Sequence, residues 1–171
     1  MNKHKIISII GPNAEKCSEE IYQFGLELGK ALIDSGYIIA CGGKFGLMEA
    51  VCKGAHLSKE YGFGKTIGII PSMNKSEANF YCDIVIPTGM GIARNAILIN
   101  TADVVVAVAG GSGTLSELAI AWQAGKRVIC YAGFEGWSKV LAGKAVDQSN
   151  RETFFEASSI EEILKLLFIE S

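Results

Sequence analysis

The sequence is poor in the residues that build metal and redox centres. It has two histidines, His4 and His56, and its five cysteines (Cys17, Cys41, Cys52, Cys82 and Cys130) contain no C-x-x-C pair. So few imidazoles and an odd, scattered set of thiols give neither a zinc-ligand pattern nor a disulfide framework. The expectation is buried, reduced cysteines and no bound metal. Charge is equally sparse: charged residues make up 20% of the chain and nearly cancel, leaving a net charge of -2. Without a Lys/Arg run there is no electrostatic reason to expect nucleic acid or an anionic membrane as partner. No apolar stretch reaches the roughly 18 residues of a spanning helix. The short run Ile6–Ile10 behind Met1-Asn2-Lys3-His4-Lys5 is too brief for a signal-peptide core, so the expected location is the cytoplasm. Nothing low in complexity interrupts the 171 residues, and 1–171 is expected to be a single domain.

What the chain does have is apolar runs that end at glycine turns and pass into helices. Ile6-Ile7-Ser8-Ile9-Ile10 is nearly continuous in apolar residues and stops at Gly11-Pro12-Asn13, the pattern of a strand buried on both faces. Further strands are expected at 37–40, 66–70, 84–86, 104–108 and 128–131, with an edge strand within 154–157. Ser18-Glu19-Glu20 opens a helix whose Ile21, Phe24, Leu28, Ala31 and Leu32 recur at helical spacing. Helices are also expected from Leu47, over 94–101, over 115–124, and over 160–168 behind a Ser159 cap. Strands alternating with helices specify an α/β chain: a Rossmann-like, three-layer fold with a mostly parallel sheet and helices on both faces. Ligands of such sheets bind beyond the carboxyl ends of the strands. All the glycine turns fall on that edge. The polar segment 75–83 is expected to lie over the site.

The most informative turn is Ala109-Gly110-Gly111-Ser112-Gly113-Thr114-Leu115-Ser116-Glu117, between the run Val104–Val108 and a helix. Glycines here let the backbone bend and expose N–H groups, and the positive end of the helix favours an anion such as phosphate. Gly42-Gly43-Lys44-Phe45-Gly46 precedes a second helix in the same way, and Glu49 and Glu117 each stand seven residues after the first glycine of their turn. Two better-known phosphate motifs are absent. Gly11-Pro12-Asn13 replaces G-x-G-x-x-G after the first strand, and Gly64-Lys65-Thr66 lacks the first glycine of a P-loop and leads into a strand.

Gly110-Gly111-Ser112-Gly113-Thr114-Leu115-Ser116-Glu117 resembles the P-G-G-x-G-T-x-x-E signature of the LOG-like family, whose best-known members are cytokinin-activating phosphoribohydrolases. Gly42-Gly43-Lys44-Phe45-Gly46-Leu47-Met48 resembles its G-G-x-x-G-L-M turn, and Met90-Gly91-Ile92-Ala93-Arg94-Asn95 falls where the family has M-x-x-R-K. The motifs span roughly residues 6 to 131 in family order. The chain departs at Ala109 for proline, Asn95 for lysine, and Glu49 for the glycine usual in the hydrolases. In this it looks closer to the branch that includes molybdenum-cofactor carrier proteins.

The resemblance implies a nucleotide site in a homodimer or higher homo-oligomer. Gly42, Gly43, Gly110, Gly111, Ser112, Gly113 and Thr114 would bind the ligand and its phosphate. Arg94 and Glu117 would be the catalytic residues, acting on a nucleoside 5'-monophosphate-like small molecule with no metal or organic cofactor. Hydrolysis of the N-glycosidic bond would free the base and ribose 5-phosphate. The alternative is a non-catalytic carrier or sensor of a phosphorylated pterin or nucleotide. For Glu117 itself, Thr114-Leu115-Ser116-Glu117 also fits a T-x-x-E capping box, and Arg94 alone reads as a solvated surface residue. Glu49, Lys44 and Asn13, on the same edge, read as helix-start or turn residues.

Overall fold

The computed structural model describes residues 5–149 and 151–168. Seven apolar runs form strands: β1 (Ile6–Ile10), β2 (Ile38–Cys41), β3 (Thr66–Ile70), β4 (Ile84–Pro87), β5 (Val104–Val108), β6 (Arg127–Tyr131) and β7 (Phe155–Ala157). They make one sheet in the order β4-β3-β2-β1-β5-β6-β7. Every neighbouring pair is parallel. Among the described residues six α-helices connect or follow them: α1 (Glu19–Asp34), α2 (Leu47–Ala55), α3 (Arg94–Thr101), α4 (Ser112–Gln123), α5 (Trp137–Leu141) and α6 (Ile160–Phe168). The result is the expected three-layer, Rossmann-like α/β architecture, with a sheet that is wholly parallel.

Both faces of the sheet are covered, which explains the unbroken apolar runs. All five residues of β5 are buried. In β1, Ile7 and Ile9 pack with Leu28 and Leu32 of α1, Val51 of α2 and Ile163 of α6. Ile10 faces the opposite layer, with Leu98 and Ile99 of α3 and Leu118 and Trp122 of α4. The one polar residue of β1, Ser8, is fully buried and its hydroxyl donates to the Leu98 carbonyl at 3.0 Å, which satisfies it. On the first face α1 and α2 pack backbone to backbone. A Cβ on Gly29 would collide with the Val51 carbonyl, and one on Gly54 with that of Leu26.

Element ends follow local chemistry. Ser18 caps α1 by accepting a hydrogen bond from the Ile21 N–H at 3.3 Å, and the Ser159 hydroxyl accepts from the Glu162 N–H at 3.2 Å. The second strand runs Ile38–Cys41 rather than 37–40, and α4 begins at Ser112, three residues before the expected 115. At one edge β4 leaves Ile84 and Ile86 each 40% exposed.

From β1 the chain winds outward through β2 and β3 to β4, then returns through α3 to β5 on the other side of β1. The strand order therefore reverses between β1 and β5, and the loops leaving their carboxyl ends diverge to open a crevice. Among the described residues, no helix is long and apolar enough to cross a membrane.

Candidate functional site

The crevice is a cavity of about 340 Å³, lined by the segments that leave five consecutive strands. Behind β1 come Gly11, Pro12, Asn13 and Lys16; behind β2, Gly42; behind β3, Pro71; behind β4, Ile92, Arg94 and Asn95; behind β5, Gly111 to Thr114 and Glu117. The volume lies in the range of small-molecule sites.

The glycine loop after β5 turns on two residues in the left-handed region, Ala109 at φ 50° and Gly110 at φ 92°. A proline cannot adopt that φ, so Ala109 marks a turn of different shape from one begun by proline. The loop delivers Gly111 to the cap position of α4, where among the described residues no side chain caps the helix. Its first-turn N–H donors and the helix dipole are open to an anion. Space above Gly113 is clear, and a Cβ on Gly111 would meet only the Lys16 ammonium, 3.5 Å away. Lys16 ends a single helical turn, Ala14–Lys16, that directly follows β1. A cation with no ion-pair partner among the described residues thus overhangs this helix end.

Beside the loop, Arg94 Nη1 donates to Glu117 Oε1 at 3.3 Å, with both side chains about nine-tenths buried. The Arg94 guanidinium also packs on Gly42, where any Cβ would collide with it. Its Nε is buried with no acceptor among the described residues. Burial pushes the Glu117 carboxyl up to about 7, opposed by the charge and hydrogen bond of Arg94. The pair can therefore hold either a carboxylate or a carboxylic acid near neutral pH. Asn95 is committed elsewhere: its Nδ2 donates to the Ser116 hydroxyl at 2.9 Å.

Of the residues singled out from the sequence, Gly42, Arg94, Gly111, Ser112, Gly113, Thr114 and Glu117 line one cavity. Gly43 and Gly110 do not. Gly43 donates its N–H to Cys41 Sγ at 3.3 Å, and Gly110 accepts from the Trp137 N–H at 3.0 Å; both shape the backbone behind the cleft. The capping-box alternative for Glu117 fails because α4 starts at Ser112, which puts Thr114 inside the first turn and Glu117 in the second. Segment 75–83 does not cover the cleft. It folds onto the Gly42–Gly46 turn, with the Asn79 N–H donating to the Gly43 carbonyl at 2.9 Å, Asn79 Nδ2 to the Lys44 carbonyl at 2.7 Å, and Glu77 pairing with Lys44 at 2.8 Å. Sequence reasoning missed Lys16 and gave Asn13 only a turn role. Their one signal was position, on the ligand edge just past β1.

The cysteines also differ from the scattered set expected. Cys41, Cys52 and Cys82 converge, their sulfurs all within 4.8 Å of one another, with Cys41–Cys52 at 3.6 Å and Cys52–Cys82 at 3.9 Å. The Cys52 thiol, hydrogen-bonded to Cys41, and the nearby Cys82 thiol hold the Cys41 thiol well below the ordinary value. The same contact with Cys41 raises Cys52 and Cys82.

Residues 4–164 match the model of the SLOG cluster4 family. A molybdenum cofactor binding protein from the phototrophic bacterium Rippkaea orientalis is similar in structure, with 34% identity, a TM-score of 0.83, and coverage of 98% of this chain and 97% of that one. The molybdenum cofactor carrier protein of Chlamydomonas reinhardtii is 30% identical with a TM-score of 0.79, over 95% of this chain and 96% of that one. A cytokinin riboside 5'-monophosphate phosphoribohydrolase of Mycobacterium tuberculosis is 32% identical over 108 residues, 62% of this chain and 56% of the hydrolase.

Proposed function

The chain belongs to the SLOG cluster4 family, and from that premise we propose that its cleft binds a nucleoside 5'-monophosphate-like ligand and hydrolyses the N-glycosidic bond. The observation that carries this reading is the buried Arg94–Glu117 pair in the same cavity as an uncapped helix end and Lys16. The phosphate would rest on the backbone of Gly111 to Thr114, with Lys16 above it. Arg94, with its buried Nε unpaired, would hold the base or the phosphate through its fixed fork of donors. As the bond breaks, its electron pair leaves with the base nitrogen and positive charge grows on the ribose. The Glu117 carboxylate stabilises that charge and takes a proton from the water that adds to the sugar. Passing that proton to the base completes the products, free base and ribose 5-phosphate.

A second reading, a carrier of a phosphorylated pterin or nucleotide, is favoured by one fact. The cofactor-binding relatives align along nearly the whole chain, whereas the hydrolase aligns with 62% of it. Incubation with a panel of nucleoside monophosphates, followed by assay of free base, separates the two. The hydrolase reading expects base release by the unaltered chain and its loss in Glu117→Gln. Absence of release from every substrate, with a phosphorylated pterin or nucleotide co-purifying, would assign the carrier. Self-association goes with either reading, supported by the bare apolar side chains Met73, Phe80 and Ile92, 83%, 95% and 89% exposed. A cytoplasmic location is supported by five free cysteines.

A further inference from the structure

Three thiols far apart in sequence meet behind the Gly42–Gly46 turn, outside the nucleotide cleft. Cys41 ends β2, Cys52 lies inside α2, and Cys82 lies on the connection from β3 to β4. We propose that Cys41, Cys52 and Cys82 form a three-coordinate thiolate site for a soft monovalent metal ion, copper(I).

The spacing fits. Three sulfurs arranged trigonally around an ion at about 2.3 Å lie about 4 Å apart. The observed separations are 3.6 Å and 3.9 Å, and no pair exceeds 4.8 Å. At these distances no disulfide joins them, since bonded sulfurs lie at about 2.0 Å. The surroundings are shaped for the cluster. Gly68 of β3 leaves the room that Cys82 Sγ fills, since a Cβ there would lie 2.7 Å from it. The Gly43 N–H donates to Cys41 Sγ at 3.3 Å, the outer contact that steadies a ligating thiolate.

The donor set decides the ion. Thiolates select copper(I) and zinc among common metals, and zinc in structural sites takes four ligands. Among the described residues, no histidine, cysteine or carboxylate joins the three sulfurs within that range. His56 is turned to the Tyr81 carbonyl at 3.1 Å and stacked on Tyr61. A three-sulfur set without a fourth donor suits the monovalent ion. Loading displaces the protons that the thiols carry, so affinity falls as pH falls. Of the negative charge left behind, part is opposed by the Arg94 guanidinium, whose field reaches Cys41. Cys82, only partly buried, is the point of entry.

The test is anaerobic titration of the reduced full chain with copper(I) against a chromophoric copper(I) chelator, with X-ray absorption of the loaded protein. One ion per chain is expected, with three sulfur neighbours at about 2.3 Å. Cys82→Ser should weaken binding by at least the ~10–100-fold that loss of an outer-shell partner costs in metal sites, while Cys17→Ser and Cys130→Ser should bind as the unaltered chain does. Thermal melting of the metal-free variants checks folding, and Cys52→Ala carries the comparison if Cys82→Ser is unfolded. Failure to compete with the chelator, undiminished uptake by Cys82→Ser and Cys52→Ala, or tighter binding of zinc than of copper(I) would each overturn the proposal.

Discussion

Glu49 and Glu117 stand at the same spacing from the first glycine of a strand-to-helix turn, and the two turns have become different devices. The turn at 42–46 is closed. Asn79 and Glu77 fasten it from outside, the three thiols lie behind it, and Glu49 lines no part of the cleft. The turn at 110–113 is open, with clear space above Gly113 and a glutamate paired with Arg94. Equal spacing does not even set one backbone path: α2 begins at Leu47, five residues after Gly42, and α4 at Ser112, two residues after Gly110. What packs against the turn from elsewhere in the chain decides whether its donors meet a ligand or the protein itself.

The largest expected effect lies at Glu117. The Glu117 carboxyl moves from its ordinary 4.5 up to about 7 on folding because it is buried. Between those values the folded chain holds a proton that the unfolded chain has lost, so stability from this group is present below pH 4.5 and is lost as pH rises through about 7. At about 1.4 kcal/mol per pH unit the loss is about 3 kcal/mol. Urea unfolding at pH 4.5 and pH 8 should show it in the unaltered chain and not in Glu117→Gln. Matching slopes in the two proteins would refute the burial argument. In the hydrolase reading base release shows the opposite trend, rising through about pH 7 as the stabilising carboxylate forms.

Next in size is the backbone of the open turn. Ala109→Pro would bring the chain nearer to the family signature, yet Ala109 sits at φ 50°, far from the roughly -65° that proline requires. A loss of about 2 kcal/mol is expected by thermal or urea unfolding. A neutral result would mean that the turn can take a second shape. The smallest effect separates the two lysines. Lys16→Ala should weaken nucleoside monophosphate binding about tenfold, or about 1.4 kcal/mol, by calorimetry at low salt. Lys44→Ala, whose charge is taken up by Glu77, should leave affinity unchanged. Equal losses from both would erase the distinction drawn here between the turns.

Much of this arrangement was legible in the sequence because it is local. Continuous apolar runs such as Val104–Val108 mark strands buried on both faces, and glycine turns after them mark the ligand edge. Arg94 and Glu117 were legible as a pair only through the family motifs, since the contact joins α3 to α4 across the strand between them. Lys16 carried no motif. It reaches the glycine loop after β5 because β1 and β5 are neighbours in the sheet, a fact of topology. The thiol cluster was hidden for the same reason: spacings of 11 and 30 residues match no ligand pattern, and β2, α2 and the β3–β4 connection meet only in the folded chain. The start of α4 was misread because Gly111-Ser112-Gly113 looks like loop, whereas Gly111 alone serves as the cap and the helix begins under the next two residues.

The cleft draws on loops behind five strands, from Ile9 to Glu117, and no subset of neighbouring segments contains it. During synthesis the chain has no partial site to offer until α4 has emerged and β5 has docked beside β1. A ligand of the cleft would then be captured only once those five strands have assembled, and its binding energy would stabilise them together. Occupancy of the cleft would serve as a mark that the chain from β1 to α4 has folded, protecting that part of it from proteolysis.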